Sequence, residues 1–228
     1  MTGYLPLGVE TGRLTPAPCR SCAWWQTTGI MRVAPQTAST IRERWLDSVE
    51  SGWGSPGLVK ATHTSQSPTA GPSISAAIHY APAATLPRLY DLPLAHLPTE
   101  AVVLFCLRID GSETPDAARR LLHEALSRLR QRRVRRLYAF AVTKDGVPHE
   151  ERCEFFPRSF LAANGFQELS CYDDVSLMRA DLRGLLSVLA PFETALRRLL
   201  HNDPTPSPAA WSSHESARQT CLKTNKSR

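Results

Sequence analysis

Apolar and polar positions alternate along this chain with two different periods, and the switches between them divide it into elements. Leu5, Leu7 and Val9 alternate, so a short first strand is expected over residues 5–9 despite Pro6. Residues 10–38 have no period; they hold Pro16, Pro18, Pro35 and the adjacent Trp24–Trp25, a pair that reads as lid or core packing. Thr40 and Glu43 have capping-box spacing, and Ile41, Trp45, Leu46 and Val49 then fall on one helical face. A helix from Thr40 to Ser51–Gly52 follows. LVKATH (58–63) and SISAAIHYAP (73–82) read as strands joined by the polar loop SQSPTAGP. After prolines at 82, 87, 93 and 98, EAVVLFCLRI (100–109) is a nearly unbroken apolar run, the pattern of a central strand covered on both faces. Thr114 suits an N-cap and Pro115 a first helical position, ahead of the stripe Leu121, Leu122, Ala125, Leu126 and Leu129. RRLYAFAV (135–142) is the next strand, PRSFLAANGF (157–166) a short helix closed by Gly165, and QELSCY and DVSLMRADL two more strands. Leu185, Leu189, Phe192, Leu196 and Leu199 form the stripe of a last helix from Gly184 to His201, restarted at Pro191. Residues 203–228 are polar and Pro/Ser-rich, and disorder is expected there.

The resulting order is strand, helix, three strands, helix, strand, helix, two strands. Strands cluster in the first half, which excludes a doubly wound parallel sheet. An α/β (α+β) fold is expected, with a mixed, mostly antiparallel sheet flanked by helices. At 228 residues the chain holds one domain with a core, plus tails. The expected division is a domain over 1–182, a C-terminal helix over 183–202 and a tail over 203–228.

Charge adds one feature. The formal net charge of +6 is carried by arginine, with lysine only at 60, 144, 223 and 226. RLRQRRVRR (128–136) concentrates six arginines across a helix end and a strand start. Cations there complement the helix dipole. They also suit an anionic partner: nucleic acid, an acidic protein surface or polyphosphate. No stretch has the length of a membrane span, and MTGYLPLGVETGR lacks the basic start and apolar run of a signal peptide, so a cytoplasmic protein is expected.

Six cysteines in such a chain read first as thiols. Cys106 sits in an apolar strand, Cys171 in a strand-like segment and Cys221 in the polar tail. Cys19 and Cys22 form CRSC, which could supply half of a tetrahedral zinc site. His149 and Cys153 are the nearest in kind to a completing pair, but a packed thiol pair is the expectation, with no metal. The chain contains no P-loop, dinucleotide fingerprint or H-E-x-x-H motif.

PCRSCAWW, SGWGSPG after the first long helix, and FPRSFLAANGF, together with the element order over residues 4–182, resemble a bacterial subgroup of the GNAT (Gcn5-related N-acetyltransferase) superfamily. The resemblance implies transfer of an acetyl or other acyl group from acyl-CoA to an amine or a protein partner; the alternative is a GNAT-fold binding or regulatory module without transfer activity, acting through its cleft or its Arg-rich end. In that family the loop after the fourth strand has the pattern Q/R-x-x-G-x-G/A, and its amides bind the CoA pyrophosphate while the strand holds the pantetheine. Placed here, the cofactor would lie along Leu107 and Ile109 and against Ala117, Ala118 and Arg119. Glu113 stands where the family has Gln or Arg and Asp116 where it has the first glycine; Ala118 conforms. Two carboxylates near a pyrophosphate could each cost on the order of 1 kcal/mol. Glu100, near the start of the central strand, is the implied general base, with Tyr138 and His79 as other strand residues that could face the cleft. Leu161 occupies the place of the tyrosine that protonates the departing thiolate.

Overall fold

The computed structural model describes residues 2–13, 15, 17–29, 33–62, 73–93, 97–109, 116–142 and 155–183. In chain order the elements are β1 (Thr2–Pro6), α1 (Val9–Arg13), α2 (Ala17–Arg20), α3 (Pro35–Gly52), β2 (Gly57–Thr62), β3 (Ser73–Pro82) and β4 (Val102–Ile109). There follow α4 (Asp116–Gln131), β5 (Arg136–Val142), β6 (Phe156–Pro157), α5 (Arg158–Ala163), β7 (Gln167–Tyr172) and β8 (Val175–Asp181). The last expected helix, the tail, the loop 110–115, His149 and Cys153 lie outside the described residues.

All eight strands join one sheet in the order β1-β2-β3-β4-β5-β8-β7, with β6 beside β5 off that path. Only β4–β5 and β5–β6 are parallel; every other pairing is antiparallel. The mixed, mostly antiparallel sheet flanked by helices is therefore the architecture that the periodicity implies. Helix α4 covers one face. Its stripe Leu121, Leu122, Ala125, Leu126 and Leu129 packs on Leu104, Leu137, Ala139 and Met178, joined by Leu161 and Phe166 from the region of α5. Burying each of those leucines contributes about 2 kcal/mol. The opposite face is covered by α3 and the tryptophan loop, where Trp25, Val49, Val103, Phe105 and Phe140 form a second cluster. β4 is thus covered on both faces, as its unbroken apolar run requires. Trp24 and Trp25 meet edge to face at 4.8 Å, and Trp25 is buried, so the pair is packing.

Two boundaries differ from the sequence reading. The first strand ends at Pro6, and Val9 opens α1 instead of continuing the strand. Thr11 Oγ1 accepts the Gly8 N–H at 2.8 Å and the Glu50 carboxylate accepts the Val9 N–H at 3.2 Å, which turns the chain off the sheet. Helix α3 starts at Pro35, not at Thr40. Proline pre-sets the first helical φ and has no N–H to leave unpaired there. Thr40 is interior, and its hydroxyl bonds back to the Gln36 carbonyl at 3.2 Å. The buried stripe of α3 is accordingly Ala38, Arg42, Leu46 and Val49, with Ile41 and Trp45 only half-buried.

One glycine is required by a turn and another by close approach. Gly165 has φ 85° and ends α5, with the Phe166 N–H returning to the Leu161 carbonyl at 3.1 Å. At Gly57 a Cβ would meet the Ile78 carbonyl oxygen at 2.3 Å, so the β2–β3 pairing tolerates no side chain there.

Candidate functional site

β4 and β5 run together for only three pairs, Val102↔Leu137, Val103↔Tyr138 and Leu104↔Ala139. Beyond them β4 continues to Ile109 and β5 to Val142, but the strands part. The cause is a bulge. His79 of β3 faces Cys106, and the next residue, Tyr80, faces Leu104, which leaves Phe105 as an extra residue on β4. An extra residue bends its strand and breaks the neighbouring ladder. On the β5 side of the resulting split, β6 pairs with Ala141 and Val142; β8 already occupies the other edge of β5 along its whole length. On the β4 side, the edge past Leu104 has no strand partner among the described residues.

The bulge also changes which way β4 side chains point. Up to Phe105 they alternate, with Val102 and Leu104 in the α4 cluster and Val103 and Phe105 in the α3 cluster. A regular strand would then send Cys106 toward α4. Instead Cys106 stays on the α3 face with Phe105, and Leu107 goes to the α4 face. Cys106 thereby joins Cys19, Cys22, Trp25, Arg42 and His79 around a cavity of about 20 Å³. That is room for a single water.

This cavity has unusual electrostatics for a protein interior. Arg42 is 5% exposed, His79 4% and Cys19 3%. Arg42 Nη2 lies 3.0 Å from His79 Nε2. Burial pushes the Arg42 pKa down, and the neighbouring Cys19, Cys106 and Cys22 oppose that fall. Arg42 has no carboxylate ion pair among the described residues. The buried Trp25 Nε1 makes no hydrogen bond among them either. The cavity wall is thus rich in donors, facing three thiols. Cys106 and Arg42 were both missed as neighbours of CRSC. The signal for Arg42 was present, since positions 38, 42, 46 and 49 have helical core spacing and one of them is charged. The signal for Cys106 was not, because it depends on the bulge.

Of the residues expected at a cofactor site, Leu107 and the part-buried Ile109 and Ala118 lie in one cluster at the β4–α4 junction. Ala117 is buried in the first turn of α4 beside them in sequence. Arg119 is exposed and pairs with Asp116 at 3.4 Å, so Asp116 supplies the negative charge of the first helical turn. Leu161 is fully buried in the same cluster as Leu107. Glu100 is not with them. It is exposed, ahead of β4, and borders a pocket at the opposite end of the strand. At ~3.3 Å per residue, about 13 Å of chain separates it from Leu104, where the split opens. Tyr138 and His79 are buried on the α3 face, His79 against Phe105 at 5.7 Å between ring centroids. Among the described residues no group of three or more His, Cys, Asp or Glu side chains is placed to hold a metal, and no helix is long and apolar enough to cross a membrane.

No family model matches the sequence, and no curated protein matches it. Several solved structures are similar to it. An N-acetyltransferase from Thermoplasma acidophilum in complex with coenzyme A is 14% identical, with a TM-score of 0.46 over 79% of this chain and 99% of that one. An N-acetyltransferase from Staphylococcus aureus Mu50 is 13% identical, with a TM-score of 0.48 over 80% and 99%. A ribosomal-protein-alanine N-acetyltransferase from Brucella melitensis is 14% identical, with a TM-score of 0.47 over 78% and 99%.

Proposed function

We propose that this chain is a GNAT-like acyl-CoA-binding protein, and that transfer of an acetyl or other acyl group from acyl-CoA to an amine is the reaction its cleft serves. The observation that carries this reading is the split at Phe105. It leaves an interior strand edge without a strand partner, leading directly into the loop before α4. Interior backbone N–H and C=O groups need partners, and an extended amide-bearing chain such as pantetheine can supply them. Helix α4 follows with sixteen residues and presents its N-terminus at the same end, where a pyrophosphate would meet free amides and the positive end of the dipole. The resemblance of PCRSCAWW and FPRSFLAANGF to GNAT-like proteins supports the same reading.

Cofactor affinity in this cleft is low. Asp116 brings a negative charge to the first turn of α4, and the resemblance puts Glu113 in the same pyrophosphate pattern; a combined cost of a few kcal/mol weakens binding about a hundredfold. A second reading, a binding or regulatory module without transfer, is favoured by Leu161: it fills with a buried alkyl chain the place where a thiolate-protonating acid would stand. Glu100, as general base, would have to reach the split through water. Calorimetric titration of acetyl-CoA into the full chain tests the binding claim. Release of CoA thiol in the presence of a panel of amines separates the two readings, since transfer frees the thiol and mere binding does not.

A further inference from the structure

The end of β4 that lies away from the split borders a pocket of about 470 Å³, within the range of small-molecule sites. Its wall holds Arg132, Arg133, Arg135, Arg136 and Arg183 against two carboxylates, Glu100 and Asp181. Those two acids do not neutralise the arginines. Glu100 has no ion pair among the described residues, and Asp181 Oδ1 accepts the backbone N–H of Arg183 at 2.9 Å. Arg132 is committed to structure: it lies 3.6 Å over the Trp53 ring, donates to the Ser55 carbonyl at 2.9 Å and also donates to the Trp53 carbonyl. The guanidinium groups of Arg133, Arg135, Arg136 and Arg183 make no ion pair or hydrogen bond among the described residues.

The backbone supplies an independent observation. Helix α4 closes in a Schellman turn, with the Val134 N–H on the Leu129 carbonyl at 3.0 Å and the Arg133 N–H on the Arg130 carbonyl at 2.8 Å. The residue at the left-handed position of that turn is Arg133, with φ 62°. Glycine adopts this conformation freely and arginine does not. The chain thus holds a strained arginine on the pocket wall, where glycine would close the helix without strain.

We propose that this pocket binds a small molecule carrying a pyrophosphate-type polyanion, through Arg133, Arg135, Arg136 and Arg183. Guanidinium forks match phosphate oxygens two bonds at a time, and a charge spread over two phosphoryl groups can engage several forks at once. The concave wall favours a small ligand over nucleic acid. The pocket is distinct from the proposed acyl-CoA cleft, because it lies at the opposite ends of both β4 and α4.

The test is calorimetric titration of inorganic pyrophosphate into the full chain at low ionic strength, with ATP as a second ligand. Wild type is expected to bind one pyrophosphate per chain. Arg135→Gln with Arg183→Gln should weaken that binding at least about tenfold, since each loses a charge-assisted contact. Arg130→Gln removes a charge from the same helix end outside the pocket and should change affinity by less than about twofold. ATP binding tighter than pyrophosphate identifies a nucleotide as the carrier, and equal affinity identifies the free polyanion; both support the site. Absence of pyrophosphate binding, or an equal loss in Arg130→Gln, overturns it. So does arginine-dependent binding of duplex DNA with none of ATP. Acetyl-pantetheine, which has the pantetheine arm but no pyrophosphate, should bind wild type and the Arg135/Arg183 double variant alike; a parallel loss would overturn the separation of the two sites.

Discussion

Arg42 and His79 meet in the interior at 3.0 Å, guanidinium Nη2 to imidazole Nε2, across the contact between α3 and β3. A guanidinium only donates, so His79 must offer Nε2 as an acceptor and carry its proton on Nδ1. The contact therefore fixes one tautomer and gives the buried cation a polar partner on the wall that the three thiols share.

Removing Arg42 alone should leave His79 Nε2 without its donor. Arg42→Leu is expected to destabilise the protein by about 1–3 kcal/mol, the cost of an orphaned buried polar atom. Adding His79→Phe should recover most of that loss, because both polar groups then leave together. Urea unfolding of the two single variants and the double variant reads the coupling. Strictly additive effects would mean that the two side chains do not act on each other.

The thiol cavity yields a second expectation. Cys19, Cys22, Cys106 and His79 are zinc-ligand types around one cavity, yet Arg42 brings a positive charge onto the same wall. A dication would have to enter against that charge, so protein purified without chelator should contain no stoichiometric zinc. Elemental analysis finding one zinc per chain, lost on Cys106→Ala, would contradict this and turn the cavity into a metal centre.

Arg133 gives a stability prediction that runs opposite to its binding role. Arg133→Gly relieves the left-handed strain, less the extra freedom that glycine has when unfolded, and should stabilise the protein by about 0.5–1 kcal/mol. Pyrophosphate affinity should fall in the same variant. A loss of stability would show that the Arg133 side chain holds the turn, which would remove the argument from strain.

Much of the fold was readable from single residues and periods. The stripe Leu121, Leu122, Ala125, Leu126 and Leu129 is buried as its spacing requires, and the unbroken run Val102–Leu107 is covered on both faces. What could not be read depends on pairings distant in sequence. The extra residue at Phe105 appears only against Tyr80 and His79, and it decides both where β4 leaves β5 and that Cys106 meets CRSC. Thr40 and Glu43 have the spacing of a cap, but Pro35, five residues earlier, opens α3 and leaves Thr40 in its interior. At the cofactor end, Leu107, Ile109 and Ala118 fall in one cluster, whereas Glu100 lies ahead of β4 and borders the far pocket. Strand membership alone does not say which end of a strand a residue serves.

The most direct test of the acyl-CoA cleft compares wild type with the double variant Glu113→Arg, Asp116→Gly. The first change replaces a negative charge with a positive one near the pyrophosphate. The second removes a carboxylate from the first turn of α4, where the backbone should approach the ligand. Helix α4 keeps its dipole and its N-terminal amides in both proteins. Acetyl-CoA affinity, measured side by side by calorimetry at low ionic strength, should rise about a hundredfold in the double variant. CoA thiol release should stay slow in both, because Leu161 provides no acid. Undetectable binding by both proteins would contradict the acyl-CoA reading of the split between β4 and β5.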